Sequence, residues 1–300
     1  MKNAIFYYYN LNPMTLIKRN QQYEFQINQI QYILLPCSYS LEQLSSLYQL
    51  TLRLHQYQIP IHKFILNKDG QLITVINHTP YILLQIFVSK NTTIIFRDIL
   101  QFQELTKHIS VENLMIADWY ALWTQKVDYL EYQISEFGKK YPLIRESFSY
   151  YIGLAENAIT LVKSITKPTF VLAHRRLYMN STLFDLYNPL NLIMDSKVRD
   201  IAEYLKDCFF HDRNPIDMIQ IYLQHHILQC REYQLLFIRF LFPSYYFDCY
   251  ERIIEKGHNE KELLPIILKS ETYETILKYL YQQVLYHCYL PEILWLTKSS

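Results

Sequence analysis

Residues 23–88 read YEFQINQIQYILLPCSYSLEQLSSLYQLTLRLHQYQIPIHKFILNKDGQLITVINHTPYILLQIFV, and their periodicity decides the fold. Tyr23-Glu24-Phe25-Gln26-Ile27 alternates with period two, and Gln31-Tyr32-Ile33-Leu34-Leu35 is a second apolar run closed by Pro36. Ser40 is placed to cap a helix, with Glu42 and Gln43 in its first turn and Leu41, Leu44, Tyr48 and Leu52 at helical spacing. That helix must stop before Pro60, because proline crowds the helical backbone of the residue ahead of it. Lys63–Asn67 and Gln71–Ile76 then flank Lys68-Asp69-Gly70, which predicts a hairpin with glycine at the positive-φ position. His78-Thr79-Pro80 turns the chain into Tyr81–Val88. The predicted order is strand, strand, helix, three strands.

Beyond about Glu104 the pattern becomes helical. Trp119, Trp123, Val127, Leu130, Ile134 and Phe137 form one stripe, ended by Gly138 and the cations Lys139 and Lys140. A second helix covers about 144–163, and Pro168 opens a β-like passage over Thr169–Ala173, Ser181–Phe184 and Leu190–Met194. From Val198 onward the chain is helical again. The expected division is a β-rich part with one helix over 1–95 and a helical part over 96–300, carrying a β insertion around 169–194.

Composition narrows the function classes. Of 300 residues, 50% are apolar and 19% charged, so the chain has a sizeable core to bury. A net charge of +1 withholds the long-range attraction of a nucleic-acid binder. The 4 glycines lie far apart, so no phosphate-cradling glycine loop can be written. The 5 cysteines form no CxxC pair, which argues against a zinc knuckle or disulfide framework and for a reduced compartment. The opening MKNAIFYYYNLNP lacks the pattern of a secretory leader, and no apolar run is long enough for a membrane span. His211, His225 and His226 do not make a metal site, since adjacent helical residues point about 100° apart.

A β-rich part with one helix followed by a helical part with a short β insertion is the layout of the two-lobed protein-kinase-like fold, an α+β class. Two segments carry a closer resemblance. One is Ser147-Phe-Ser-Tyr-Tyr-Ile-Gly-Leu-Ala-Glu-Asn-Ala-Ile159; the other joins His174-Arg175-Arg176 to the run Leu186–Leu205. Both are similar to the spore-coat-associated kinase-like proteins of the YutH and CotS type, on the aminoglycoside-phosphotransferase branch of that fold.

The resemblance implies specific parts. Active members of the fold place the catalytic aspartate in a His-Gly-Asp triplet; here the triplet is His174-Arg175-Arg176. Arginine stays protonated at neutral pH and cannot serve as a base. The metal-holding amide would fall near Asn180 or Ser181. For the metal aspartate the residual candidates are Asp185 and Asn188, the latter twelve residues before Asp200. Asp200 itself matches the aspartate that opens the next helix and holds the loop. The strand ending Ile33–Cys37 has no lysine, which leaves Glu42 without its ion-pair partner, and Lys18 and Arg19 come a strand too early.

The sequence therefore reads as a kinase-fold protein with no expected catalytic, metal or cofactor residues. It would be made in the mother-cell cytoplasm, with other coat or assembly proteins as partners and no nucleic acid. Two alternatives stay open. One is an active small-molecule phosphotransferase using ATP and Mg²⁺ through Asp185 or Asp195; the other is a cytoplasmic adaptor on the same fold.

Overall fold

The computed structural model describes residues 1–115, 118–165 and 169–297. The chain begins with helix α1 (Lys2–Tyr9), then strands β1 (Ile17–Arg19), β2 (Gln22–Ile27) and β3 (Ile30–Pro36). Helix α2 (Leu41–Gln56) leads into β4 (Lys63–Ile65), β5 (Thr74–Ile76) and β6 (Thr79–Ile86), followed by α3 (Phe96–Thr106). Helices α4 (Trp119–Phe137) and α5 (Pro142–Lys163) precede β7 (Phe170–His174), α6 (Leu183–Leu186) and β8 (Leu192–Ser196). The remainder is helical: α7 (Arg199–Phe210), α8 (Ile216–His225), α9 (Cys230–Leu241), α10 (Ser244–Lys256), α11 (Leu264–Leu268), α12 (Ser270–His287) and α13 (Leu294–Thr297). The chain groups into two compact units. Residues 1–115 and 171–194 make the first, and the other described residues the second.

The first unit is built on an antiparallel sheet in the order β1-β2-β3-β6-β4, with β5 also on β6. Register separates its faces. Tyr23, Leu34, Leu83 and Ile65 share one row, and Glu24, Ile33, Leu84 and Phe64 the row on the opposite face. Ile5 and Tyr9 of α1 cover the first face, packed with Phe25, Tyr32, Leu34, Ile76, Tyr81 and Leu83. The Tyr9 hydroxyl donates to Thr74 Oγ1 at 2.9 Å. Tyr48 of α2 meets Phe64 edge-on from the other face. The predicted Ser40 cap is present as a full box: Ser40 Oγ accepts from Gln43 N–H and the Gln43 side chain accepts from Ser40 N–H, both at 3.2 Å.

Two expectations about the first hundred residues need correction, and so does Ser181–Phe184, read as β-like: only Thr182 bridges a neighbouring residue, and α6 begins at Leu183. The hairpin predicted across Lys68-Asp69-Gly70 does not form, because β4 and β5 both pair with β6 and not with each other. The Asn67 side-chain oxygen draws the intervening loop together, accepting from the N–H groups of Asp69 and Gln71. The true hairpin is β5–β6, closed by Asn77 and His78 at φ 48° and 63°, the two-residue turn in which both positions are left-handed. Asparagine tolerates that region well, so glycine is not required. The second correction is α1, which the sequence reading leaves out. Eight residues are too few to stand alone, and its Ile5/Tyr9 stripe forms a helix by docking on the sheet.

Residues 171–194 join the first unit through backbone bonds. His62 N–H donates to Tyr187 O, Ile94 N–H to Ser181 O and Leu183 N–H to Thr92 O. Pro168 lies outside the described residues. In the second unit, the predicted stripe is buried at Trp119, Trp123, Val127 and Leu130. It fails in its last turn, where Gln133 is buried and Phe137 exposed. Gly138 follows at an ordinary helical φ of −58°, so no left-handed turn calls for glycine there, and an added Cβ would meet only the movable tip of the Ile134 side chain, 2.8 Å from Cδ1.

Candidate functional site

β7 delivers His174, and the segment 175–191 returns the chain to β8. His174 is buried, with its ring against Phe102. Its Nε2 faces the Leu186 carbonyl at 2.9 Å, so that nitrogen carries the proton and donates. Arg175 places its guanidinium over the Tyr39 ring, and the Tyr39 hydroxyl donates to Leu190 O at 2.7 Å. Arg176 is exposed and donates to the Tyr178 hydroxyl at 3.0 Å.

Asn191, which the sequence reading passed over, organises this loop. Its Oδ1 accepts from Arg176 N–H at 3.1 Å, while Nδ2 donates to Arg176 O at 2.8 Å and Asp185 O at 3.3 Å. The three residual metal candidates are placed elsewhere. The Asp185 carboxylate caps α6, accepting from Thr182 N–H and Oγ1 at 2.7 and 2.9 Å. Asn188 Oδ1 accepts from Leu190 N–H, and Asn180 lies on an exposed turn.

The carboxylate that closes a short strand ahead of the Asp200 helix is Asp195, at the end of β8. It is 2% exposed and fully engaged. Oδ1 accepts from Trp119 Nε1 at 2.9 Å and Ser196 N–H at 2.6 Å, and Oδ2 accepts from Arg199 Nη1 at 2.5 Å. The pattern Asp195–Arg199 is i,i+4, so the guanidinium rises from the first turn of α7 directly over the carboxylate.

A buried charge cluster continues from it. Arg239 stacks its guanidinium on Trp119 and Trp123, 4.8 and 5.5 Å from the ring centroids, and donates from Nε to Glu203 at 2.6 Å. Lys206, 2% exposed, reaches Glu203 at 2.7 Å, Ser244 Oγ at 2.7 Å and Arg239 O at 3.0 Å. Burial opposes ionisation of Glu203, but Lys206 and Arg239 outweigh it and hold the carboxyl well below its usual range. Burial brings the Lys206 ammonium down to about 8, against the pull of Glu203. Asp200, also buried, adds its charge beside Arg199 in the first turn of the helix.

Does this site suit the magnesium and nucleotide that the fold family uses? Asp195 has no oxygen left for a metal, and a fixed guanidinium stands where a cation would. Among the described residues no group of three His, Cys, Asp or Glu side chains is placed to hold an ion. In the sheet, Arg19 pairs with Gln22, so only Asn20 and Gln21 connect β1 to β2, with Asn20 at φ 55°. A two-residue turn is too short to fold over phosphates. No residue of β3 is cationic, and Glu42 is exposed. The ion pair on this face is instead Lys90 with Glu24, at 3.0 Å. It lines a polar hollow of about 510 Å³ together with Arg19, Gln26, Gln29 and Gln31. The residues present do not fit the metal.

Comparison with known proteins places the chain. A family model described as "Spore coat putative kinase YutH" matches residues 2–280. The endospore coat-associated protein YutH of Bacillus subtilis (strain 168) is 26% identical over 100% of this chain and 99% of its own. An aminoglycoside phosphotransferase from Alicyclobacillus acidocaldarius shares the fold with a TM-score of 0.69 at 13% identity, over 93% of this chain and 94% of that one. A spectinomycin phosphotransferase solved with AMP gives a TM-score of 0.60 at 13% identity, over 88% and 91%.

Proposed function

Because this chain belongs to the YutH spore coat family, with an aminoglycoside-phosphotransferase-like fold, we propose that it is a coat-associated member that works without phosphoryl transfer, as a structural or assembly component. The observation that carries this reading is Asp195, whose carboxylate is spent on Trp119, Ser196 and Arg199. Phosphoryl transfer rests on positioning and on charge stabilisation by metal and base. Arg176 in the triplet supplies no base, the β1–β2 turn has no glycine, and β3 has no lysine. Each loss is separate from the others, and together they support a fold kept for its surface. Synthesis in the mother-cell cytoplasm followed by recruitment to the coat, through contacts with other coat proteins, completes the proposal. Among the described residues no helix is long and apolar enough to cross a membrane.

Calorimetry with millimolar ATP and Mg²⁺ tests the biochemical half. No saturable heat and no phosphate release are expected. Magnesium-dependent ATP binding accompanied by transfer of phosphate to a small-molecule acceptor would establish an active phosphotransferase instead. A fluorescent fusion in sporulating cells tests the other half: a ring at the forespore is expected, and a diffuse mother-cell signal throughout coat assembly would favour a cytoplasmic adaptor.

A further inference from the structure

The five cysteines are far apart in sequence, yet two of them meet. Cys230 opens α9 and Cys288 caps the end of α12, and the packing of these two helix ends makes the two cysteines neighbours. The contact is held from both sides. Tyr233 stacks on His287 with ring centroids 4.2 Å apart, and Gln234 Nε2 donates to Tyr289 O at 2.8 Å. Cys230, Tyr233 and Gln234 lie at i, i+3 and i+4, one face of α9, set against the consecutive residues 287–289. We propose that Cys230 and Cys288 are a reversible disulfide site that clips the start of α9 to the end of α12.

Geometry and access both favour the pair. The Tyr233–His287 stack and the Gln234–Tyr289 bond hold the two helix ends together, which is the backbone proximity a disulfide needs, whereas cysteines with distant backbones cannot be bridged at all. Cys230 is exposed and Cys288 half-buried, while Cys37, Cys208 and Cys249 are buried and inert to a solvent reagent. Burial and the neighbouring Cys230 push the Cys288 thiol up to about 12, so the exposed Cys230 attacks first and Cys288 resolves. The oxidant is a small-molecule disulfide. The Cys230 thiolate attacks one of its sulfurs, the reagent's S–S bond breaks, and one small thiolate leaves and takes a proton. Cys288 gives up its proton and attacks the Cys230 sulfur of the mixed disulfide, expelling the second small thiol. Two protein thiols are oxidised and one reagent disulfide is reduced to two thiols. This inference is independent of the coat reading.

The test is oxidised glutathione on the full wild-type chain, read by intact mass, thiol titration and peptide mapping. The chain should lose two thiols together, retain no glutathione, yield one peptide pair linking Cys230 to Cys288, and revert with dithiothreitol. In Cys288→Ser, glutathione should remain on Cys230, with thermal melting unchanged to show that the variant is folded. Stable glutathione on wild-type Cys230, a covalent dimer in place of the internal link, or no reaction at Cys230 would each overturn the proposal. The wild-type arm decides the matter without any variant.

Discussion

The loop of residues 175–191 and the charge cluster around Asp195 support the proposed non-catalytic reading by opposite routes. In the loop the chemical group is replaced: Arg176 stands in the triplet, exposed, and the fold around it is held by Asn191, His174 and backbone bonds. In the cluster the carboxylate survives but is consumed, because Arg199 and Trp119 complete its coordination with protein atoms. Replacement at an exposed position leaves little stability attached to the side chain. Consumption in the interior makes the same residue structural, since a buried carboxylate must keep its partners. Substitutions should therefore be costly in the cluster and mild in the loop.

The largest effect is expected at Trp119. It is buried, stacks on Trp123, receives Arg239 on its face and donates to Asp195. Trp119→Ala should cost about 3–5 kcal/mol in denaturant unfolding, through the cavity and the uncompensated carboxylate. Trp119→Phe keeps a buried aromatic ring but removes the N–H donor and part of the indole, and should cost roughly 1.5–3 kcal/mol. If both variants unfold like wild type, the cluster holds nothing together and the contrast with the loop collapses.

Next comes His62, which anchors the loop from the sheet side. It is fully buried; Nδ1 accepts from Phe87 N–H at 3.4 Å and Nε2 donates to Phe184 O at 3.2 Å. Burial, helped by Lys90 and opposed by the Phe184 bond, lowers its pKa to about 4. The unfolded chain takes up a proton near 6.5 and the folded chain only near 4, so between these values the unfolded state binds more protons. Stability should fall as pH drops through that window, by at most about 1.4 kcal/mol per pH unit, and level off below it. Unfolding curves from pH 7 to 4 measure the slope, and His62→Gln should flatten it. An unchanged slope in that variant would place the acid sensitivity elsewhere.

Much of this was legible in the sequence, and the failures share one cause. Alternation placed β2, an apolar run closed by Pro36 placed β3, the His78-Thr79-Pro80 turn placed β6, the Ser40 cap placed α2, and the tryptophan spacing placed α4, because each signal is local. The pairing of β4 with β6 was invisible: nothing in Lys63–Ile65 records that its partner is Leu83–Gln85. Asp195 was visible as a residue but not as the carboxylate at the strand end, since its identity depends on where β8 stops and on Trp119, 76 positions away. Asn191 and the Cys230–Cys288 contact are likewise products of chain return. Long-range placement, and not residue chemistry, is what the sequence withheld.

A smaller effect is expected at Asn191. Asn191→Ala removes the bonds to Arg176 N–H, Arg176 O and Asp185 O. These groups are partly open to water, which takes over some of the lost bonding, so about 1–2 kcal/mol is expected in place of the full penalty of an orphaned buried amide. A loss matching that of Trp119→Ala would show the loop to be as structural as the cluster.

The smallest effect, and the sharpest test of the comparison, is Arg176→Asp, which puts an acidic residue where the resemblance to active members of the phosphotransferase fold implies one. Arg176 is exposed and donates to the Tyr178 hydroxyl at the surface, so stability should change by only about 0.5 kcal/mol. Activity should not return. A base can orient an acceptor hydroxyl, but charge on the transferring group still needs a metal, and Asp195 remains clamped by Arg199. Release of phosphate from ATP should stay at the rate of the blank, with or without Mg²⁺. Adding Arg199→Ala removes the clamp's cation; the buried carboxylate then lacks its charge partner, and the double variant should lose about 3–5 kcal/mol of stability before it gains a metal. Magnesium-dependent turnover in Arg176→Asp alone would mean that replacement was the only block, and that the arrangement around Asp195 had never been consumed at all.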